Sequence, residues 1–249
     1  DLNDDGIFGD AIGATPSVDW SELVALGIDD GPGTWNVRVR VSDDDGGVTT
    51  STAVELTVIN LPPSLVSAGG PYSVSEGSSL ALSASATDPV DALTYAWDLN
   101  DDGLFDDAAG AAPTLTWSEL AALGIDDGPA AWNVRVRVSD GDGGVVDSSP
   151  VLLTVNNAPP TASAGGPYTI YQGSALLLTA SASDPAGAAD PLSYTWDLND
   201  DDVFGDALGA APTITWGELL SLGLGALATT NIRVRVSDDD GGTTDSAIA

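Results

Sequence analysis

The chain contains no cysteine, no histidine and no methionine, and its six basic residues are all arginine. Without cysteine, no disulfide staples the fold and no thiolate holds a metal; without histidine, the commonest neutral metal ligand is gone. A bound metal must therefore be held by oxygen. No run approaches the roughly 18 consecutive apolar residues of a membrane span, so no membrane insertion is expected. The chain shows no signal peptide or sorting tail and starts without Met, so it reads as an internal fragment of a longer protein.

What is abundant is negative charge. The 249 residues include 38 Asp or Glu, for a formal charge of −32. A surface this acidic repels nucleic acid and anionic membranes. The expected partners are calcium or other metal cations, basic proteins, neighbouring repeats, or further copies of the chain in a filament. The charge does not imply disorder, because 43% of the residues are hydrophobic and they alternate in strand-like runs.

Self-similarity organises the chain. DLNDDG begins at Asp1 and Asp98 and DLNDDD at Asp197, intervals of 97 and 99 residues. In the same frame, WSEL recurs at Trp20 and Trp117 with WGEL at Trp216, and Asn36, Asn133 and Asn231 each open an N(V/I)RVRVSD run. A period near 100 residues is too long for a solenoid and suits one β-sandwich domain per repeat. Boundaries fall at Asn60-Leu61-Pro62-Pro63 and Asn156-Asn157-Ala158-Pro159-Pro160, whose paired prolines favour short, stiff connectors. The expected domains are residues 1–60, lacking the first strands; 61–156, complete; and 157–249, lacking the end of the last strand. The missing strands belong either to a truncated parent chain or to a neighbouring subunit.

Within the second repeat, Leu80, Leu82, Ala84 and Ala86 alternate with Ala81, Ser83 and Ser85, predicting a half-buried strand closed by the Thr87-Asp88-Pro89 turn. Leu93, Tyr95 and Trp97 share one face of the next strand, as do Leu192, Tyr194 and Trp196, with each tryptophan a core anchor. Thr116 and Glu119 have the spacing of a capping box, repeated by Asp19 with Glu22 and Thr215 with Glu218. A helix of about two turns ending near Gly124 follows. Trp132, Val134, Val136 and Val138 form an inward face, which leaves the arginines of this run outward. Those arginines are expected to pair across strands with Asp or Glu, although a binding stripe is conceivable.

The segments PYSVSEGSSLALSASATDP, LTYAWDLNDDG, NVRVRVSDGDGG and LLTVNN together resemble polycystic-kidney-disease-type (PKD) domains over essentially the whole chain. The resemblance implies an all-β architecture of tandem Ig-like β-sandwiches, here with a short helix inserted at each WSEL segment. It also implies an extracellular or cell-surface setting in surface-layer, adhesin or secreted-hydrolase proteins, a spacer or interaction role, and no catalysis. The family's Trp-Asp-Phe-Gly-Asp-Gly is here Trp97-Asp98-Leu99-Asn100-Asp101-Asp102-Gly103, and WSEL replaces a short segment.

Asp98, Asn100, Asp102 and Gly103 have the 1, 3, 5, 6 spacing of an EF-hand-type loop, with the Leu104 carbonyl at position 7 and Asp107 at position 10. The first repeat offers Asp1, Asn3, Asp5, the Ile7 carbonyl and Asp10, and the third Asp197, Asn199, Asp201, the Val203 carbonyl and Asp206. Several carboxylates in one turn suit calcium better than magnesium. The third loop has Asp202 in place of the turn glycine and is expected to be the weakest site. The plainer reading is a set of solvated Asx turns. A bridging cation is also conceivable where the Asp98 and Asp126 loops of the second repeat approach Asp184, Asp238 and Asp240 of the third. In the third repeat, IDDGP becomes Leu224-Gly225-Ala226-Leu227-Ala228 and loses its acids.

These features point to a structural or adhesive spacer, surface rod or filament, stiffened by calcium. The alternative is a carbohydrate-binding accessory module in which Trp20, Trp117 and Trp216 stack on sugar rings. A carboxylate-only active site is disfavoured because the acids recur in every repeat, whereas a catalytic pocket is singular.

Overall fold

In the computed structural model, residues 1–226 and 229–249 are described. They form short strands and three six-residue helices, α1 (Trp20–Ala25), α2 (Trp117–Ala122) and α3 (Trp216–Ser221). The chain divides into two compact units, and these cut across the repeat frame. The first holds residues 1–69, 82–113 and 134–150; the second holds 70–81, 114–133 and 151–249. No helix among the described residues is long and apolar enough to cross a membrane.

In the first unit, strand Thr94–Asp98 lies antiparallel to Ala108–Ala109 on one side and to residues 135–139 of the strand Ala130–Ser139 on the other. The register places Trp97 opposite Val136 and Asp98 opposite Arg135. Period-two alternation buries Trp97, Val134, Val136 and Val138 completely. The Trp97 indole donates to the Gly110 carbonyl at 2.9 Å, so its one polar atom is satisfied. Gly33–Val37 pairs with Val54–Val58, and Arg40–Ser42 pairs with Val48–Thr50. Here the inward-facing pattern fails: Val39 and Val41, which align with buried Val136 and Val138, are 56% and 64% exposed. Among the described residues nothing covers that face.

In the second unit, Val151–Asn156 runs parallel to Tyr72–Ser75. A four-stranded sheet orders Ala207–Leu208, Ser193–Asp197, Arg233–Ser237 and Thr243–Asp245. Its core contains Leu178, Trp196, Leu198, Val234 and Val236, with the indole of Trp196 bonded to the Gly209 carbonyl at 2.9 Å.

All three helices carry complete capping boxes at Asp19/Glu22, Thr116/Glu119 and Thr215/Glu218. Leu120 and Leu219 are the buried residues of the second and third helices, the first has none, and Gly124 ends the second helix region at φ +77°. One expected strand is split: Leu80–Ala81 and Ser85–Thr87 are separate, because Leu82 and Ala84 donate instead to the carbonyls of Pro113 and Ala111. The third-repeat segment matching IDDGP begins with a 3₁₀ turn at Leu224–Ala226, and Leu227 and Ala228 lie outside the described residues. The chain is all-β, with Ig-like sandwich sheets and short helices at the WSEL positions.

Candidate metal centre

The acidic loops start where a strand ends. Asp98 and Asp197 are the last residues of their strands and are fully buried; Asp1 occupies the same place and is 7% exposed. Each loop then turns through a left-handed residue, Asp4, Asp101 or Asp200, with φ of 63°, 60° and 62°. Asp tolerates that conformation better than most residues. The position read as the turn glycine also has positive φ, 80° at Gly6, 84° at Gly103 and 63° at Asp202.

In the second repeat, Asp98 Oδ2 accepts from the Gly103 amide, Asn100 Oδ1 from Asp102, and Asp102 Oδ1 from Leu104, at 3.1, 3.2 and 2.7 Å. Asp107 Oδ2 accepts from the Leu99 amide at 2.6 Å, which folds position 10 back onto the start of the loop. Burial pushes the Asp107 carboxyl above its ordinary range, ahead of opposing hydrogen bonds from Leu99 and Asn100. The first repeat copies the pattern: Asp1, Asn3 and Asp5 accept from Gly6, Asp5 and Ile7, and Asp10 accepts from Leu2. In both loops the remaining oxygen of the first aspartate, Asp98 Oδ1 or Asp1 Oδ1, is buried with no hydrogen-bond partner. The loops therefore combine Asx turns with one orphaned anionic oxygen each.

The third loop differs. Asp197 accepts from the Asp200 and Asp202 amides and from Arg233 at 2.7 Å, while Asp201 accepts from Val203 and Asp206 from Leu198. Asn199 Oδ1 is buried without a partner. An arginine thus donates directly to the first carboxylate of this loop at 2.7 Å, whereas in the first loop Arg38 stands 3.9 Å from Asp1 Oδ2.

The arginines pair across strands only in part: Arg137 and Arg235 do so, whereas Arg38, Arg135 and Arg233 meet aspartates of the acidic loops and Arg40 stacks on Phe8. Arg38 binds Asp4, Arg135 lies 3.4 Å from Asp101, and Arg233 reaches Asp202 as well as Asp197. Arg137 and Arg235 each form a two-pronged bridge with Asp147 and Asp245. Sequence reasoning missed the stacking phenylalanines: Arg40, Arg137 and Arg235 lie 4.3, 4.0 and 4.2 Å from the ring centroids of Phe8, Phe105 and Phe204.

Among the described residues, triads of acids with oxygens within 4.8 Å of one another form away from the three loops. In the second unit Asp190 joins Asp184 and Asp238, and also Glu76 and Asp127. In the first unit Asp91 joins Asp88 and Asp140, and also Asp30 and Asp142. The expected approach of the Asp98 and Asp126 loops to Asp184 and Asp238 is not seen in these triads; instead Asp127 of the IDDGP turn joins Glu76 and Asp190, and Asp190 in turn joins Asp184 and Asp238. Glu76 accepts from the Gly128 amide at 2.7 Å and the Ala158 amide at 2.9 Å. Burial raises its pKa, against those two bonds. Burial also pushes Asp190 up to about 7, aided by hydrogen bonding to Asp239 and by the charges of Asp184 and Asp238.

The helix tryptophans are not equivalent. Trp216 packs on the third-repeat core, and the Trp117 indole donates to the Pro185 carbonyl at 3.0 Å. Trp20 is 42% exposed and borders a cavity of about 200 Å³ with Val58, Ile59, Leu61, Pro89 and Val90.

No protein-family profile matches the chain. The chain is similar to Chitinase A of Pseudoalteromonas piscicida, with 26% identity over 168 residues covering 64% of this chain and 19% of that protein. It thus spans about a fifth of the length of that curated relative. Among solved structures it is similar to the amphioxus IgVJ-C2 molecule, at 18% identity and TM-score 0.37, covering 71% of this chain and 98% of that one. It is also similar to fibronectin(III)-like modules of Clostridium thermocellum CbhA, at 16% identity and TM-score 0.30, covering 74% and 90%.

Proposed function

We propose that the chain is a non-catalytic, PKD-type tandem segment of a secreted or cell-surface protein, a spacer or adhesive module whose acidic turns take up calcium. The observation that carries the calcium reading is the buried, unpartnered oxygen of Asp98, matched at Asp1. A buried carboxylate oxygen without a donor costs several kcal/mol unless a proton or cation meets it. The Gly103 amide fixes the other oxygen of Asp98, leaving the first free for an ion shared with Asn100, Asp102, the Leu104 carbonyl and Asp107. In the third loop Arg233 competes for this role, so calcium is held there most weakly. Calcium titration calorimetry on the whole chain tests the reading: Asp98→Asn with Asp102→Asn is expected to remove one bound ion, and unchanged stoichiometry overturns it.

A second reading, an accessory module that binds polysaccharide, is favoured by exposed Trp20 beside an apolar cavity and by the similarity to part of a chitinase. Retention on chitin that is lost in Trp20→Ala supports it. Passage of the wild-type chain through chitin unretained removes it.

A further inference from the structure

We propose that Asn157, Asp184, Asp190 and Asp238, flanked by Glu76 and Asp127, form a second class of calcium site at the joint between the second and third sequence repeats. It is distinct from the DLNDDG loops and stands whether or not those loops bind metal.

Geometry comes first. Oxygens bound to one calcium ion at about 2.4 Å lie at most about 4.8 Å apart. Asp184, Asp190 and Asp238 each present an oxygen within 4.8 Å of the others, and so do Glu76, Asp127 and Asp190. Asp190 belongs to both triads and is 0% exposed, while Asp238 is 7% exposed.

The hydrogen bonds leave specific oxygens over. The Asp239 amide holds Asp190 Oδ1, the Ala186 amide holds Asp184 Oδ1, and the Asn157 amide group donates to Asp238 Oδ2 at 3.1 Å. Asp190 Oδ2, Asp184 Oδ2 and Asn157 Oδ1 are buried and have no partner. Three acceptors without a donor, two of them on carboxylates, describe a place for a cation.

The chain supplies no such cation itself. It has no lysine, and each of its six arginines is engaged with an acidic loop, an aspartate of the neighbouring strand or a phenylalanine ring. A proton on Asp190 would satisfy one of the three oxygens and leave the rest. An all-oxygen, multiply anionic set favours calcium over magnesium, which demands a tighter octahedron and keeps its waters.

The arrangement recurs. In the first unit Asn60 donates to Asp140 at 2.7 Å as Asn157 does to Asp238, and Asp91 meets Asp88 and Asp140 as Asp190 meets Asp184 and Asp238. The orphan recurs as well, at Asp88 Oδ2. Glycines press both hairpins against the proline linkers: a Cβ at Gly144 would lie 2.8 Å from Pro62 Cα, and one at Gly242 3.0 Å from Pro159 Cα. Each copy thus unites an Asn at the start of a linker, the turn containing Asp88 or Asp184, and the hairpin that begins at Asp140 or Asp238.

The test is calcium titration calorimetry on the 249-residue chain, stripped of metal, in parallel with terbium luminescence excited through tryptophan. Asp184→Asn with Asp190→Asn is expected to remove one bound calcium per chain, and Asp88→Asn with Asp91→Asn another. Asp98→Asn with Asp102→Asn is expected to leave both in place. If only that loop variant changes the stoichiometry, or if the wild-type chain binds no calcium, the joint sites are overturned. Loss in the joint variants without loss in the loop variant instead removes the loop reading. Melting in chelator guards against misfolding: Asp190→Asn discards a buried charge and is expected to melt at or above the wild type. A lower melting point in chelator would make Asp190 a structural acceptor and contradict a cation role.

Discussion

The Trp117 indole N–H meets the Pro185 carbonyl across 68 positions of sequence, at 3.0 Å. This bond uses the polar edge of a helix tryptophan to hold the turn that follows Asp184. Trp117→Phe keeps an aromatic ring and loses the bond, so it is expected to lower unfolding free energy by about 1 kcal/mol. Trp117→Ala loses the ring as well and costs more. Urea denaturation of the two variants checks the order.

Two glycine substitutions separate backbone strain from crowding. Gly103 has φ +84° with nothing near its missing Cβ, so Gly103→Ala is expected to cost about 1–2 kcal/mol through conformation alone. At Gly144 a Cβ would fall 1.9 Å from Asp140 Oδ2, so Gly144→Ala displaces the carboxylate that Asn60 holds. It is expected to be the more damaging change in thermal melts, and equal melting points would contradict that order.

The Arg137–Asp147 bridge sets a pH dependence. Hydrogen bonding and then the charge of Arg137 hold the Asp147 carboxyl below its ordinary value. A folded pKa below the unfolded one contributes stability above about pH 4, and that contribution is lost as pH falls through the folded value. The side chains are 44% and 42% exposed, so solvent screening limits the effect to about 0–1 kcal/mol. Asp147→Asn is expected to melt slightly below wild type at neutral pH, with the gap closing in strong acid. A gap that widens in acid would reverse the sign.

The features legible in the sequence are those each repeat carries locally. The capping boxes and the alternating strand with Trp97 or Trp196 inward follow from spacings of a few residues, and the cross-strand pairing of Arg137 and Arg235 from the outward face of their strands. Glu76 was invisible because its partners, Gly128 and Ala158, lie 52 and 82 residues away. Asp190 was hidden by a change of loop length: Asp91 follows Asp88 by three residues, whereas Asp190 follows Asp184 by six. The buried alternation expected of the NVRVRV strand fails at Val39 and Val41, since burial needs a covering layer that a strand's own pattern does not provide. In the acidic loops the spacing of carboxylates was readable. That the backbone would occupy one oxygen of Asp98 and leave the other free depends on the turn conformation at Asp101 and Gly103.

Calorimetric melting of the metal-stripped chain in chelator and in millimolar calcium tests the cation reading most directly. Calcium binding the folded state alone must raise stability, by about 2.7 kcal/mol at a free concentration one hundred times the dissociation constant. The melting temperature is therefore expected to rise with calcium and to fall again on adding chelator. Superimposable melting curves in the two conditions would contradict it.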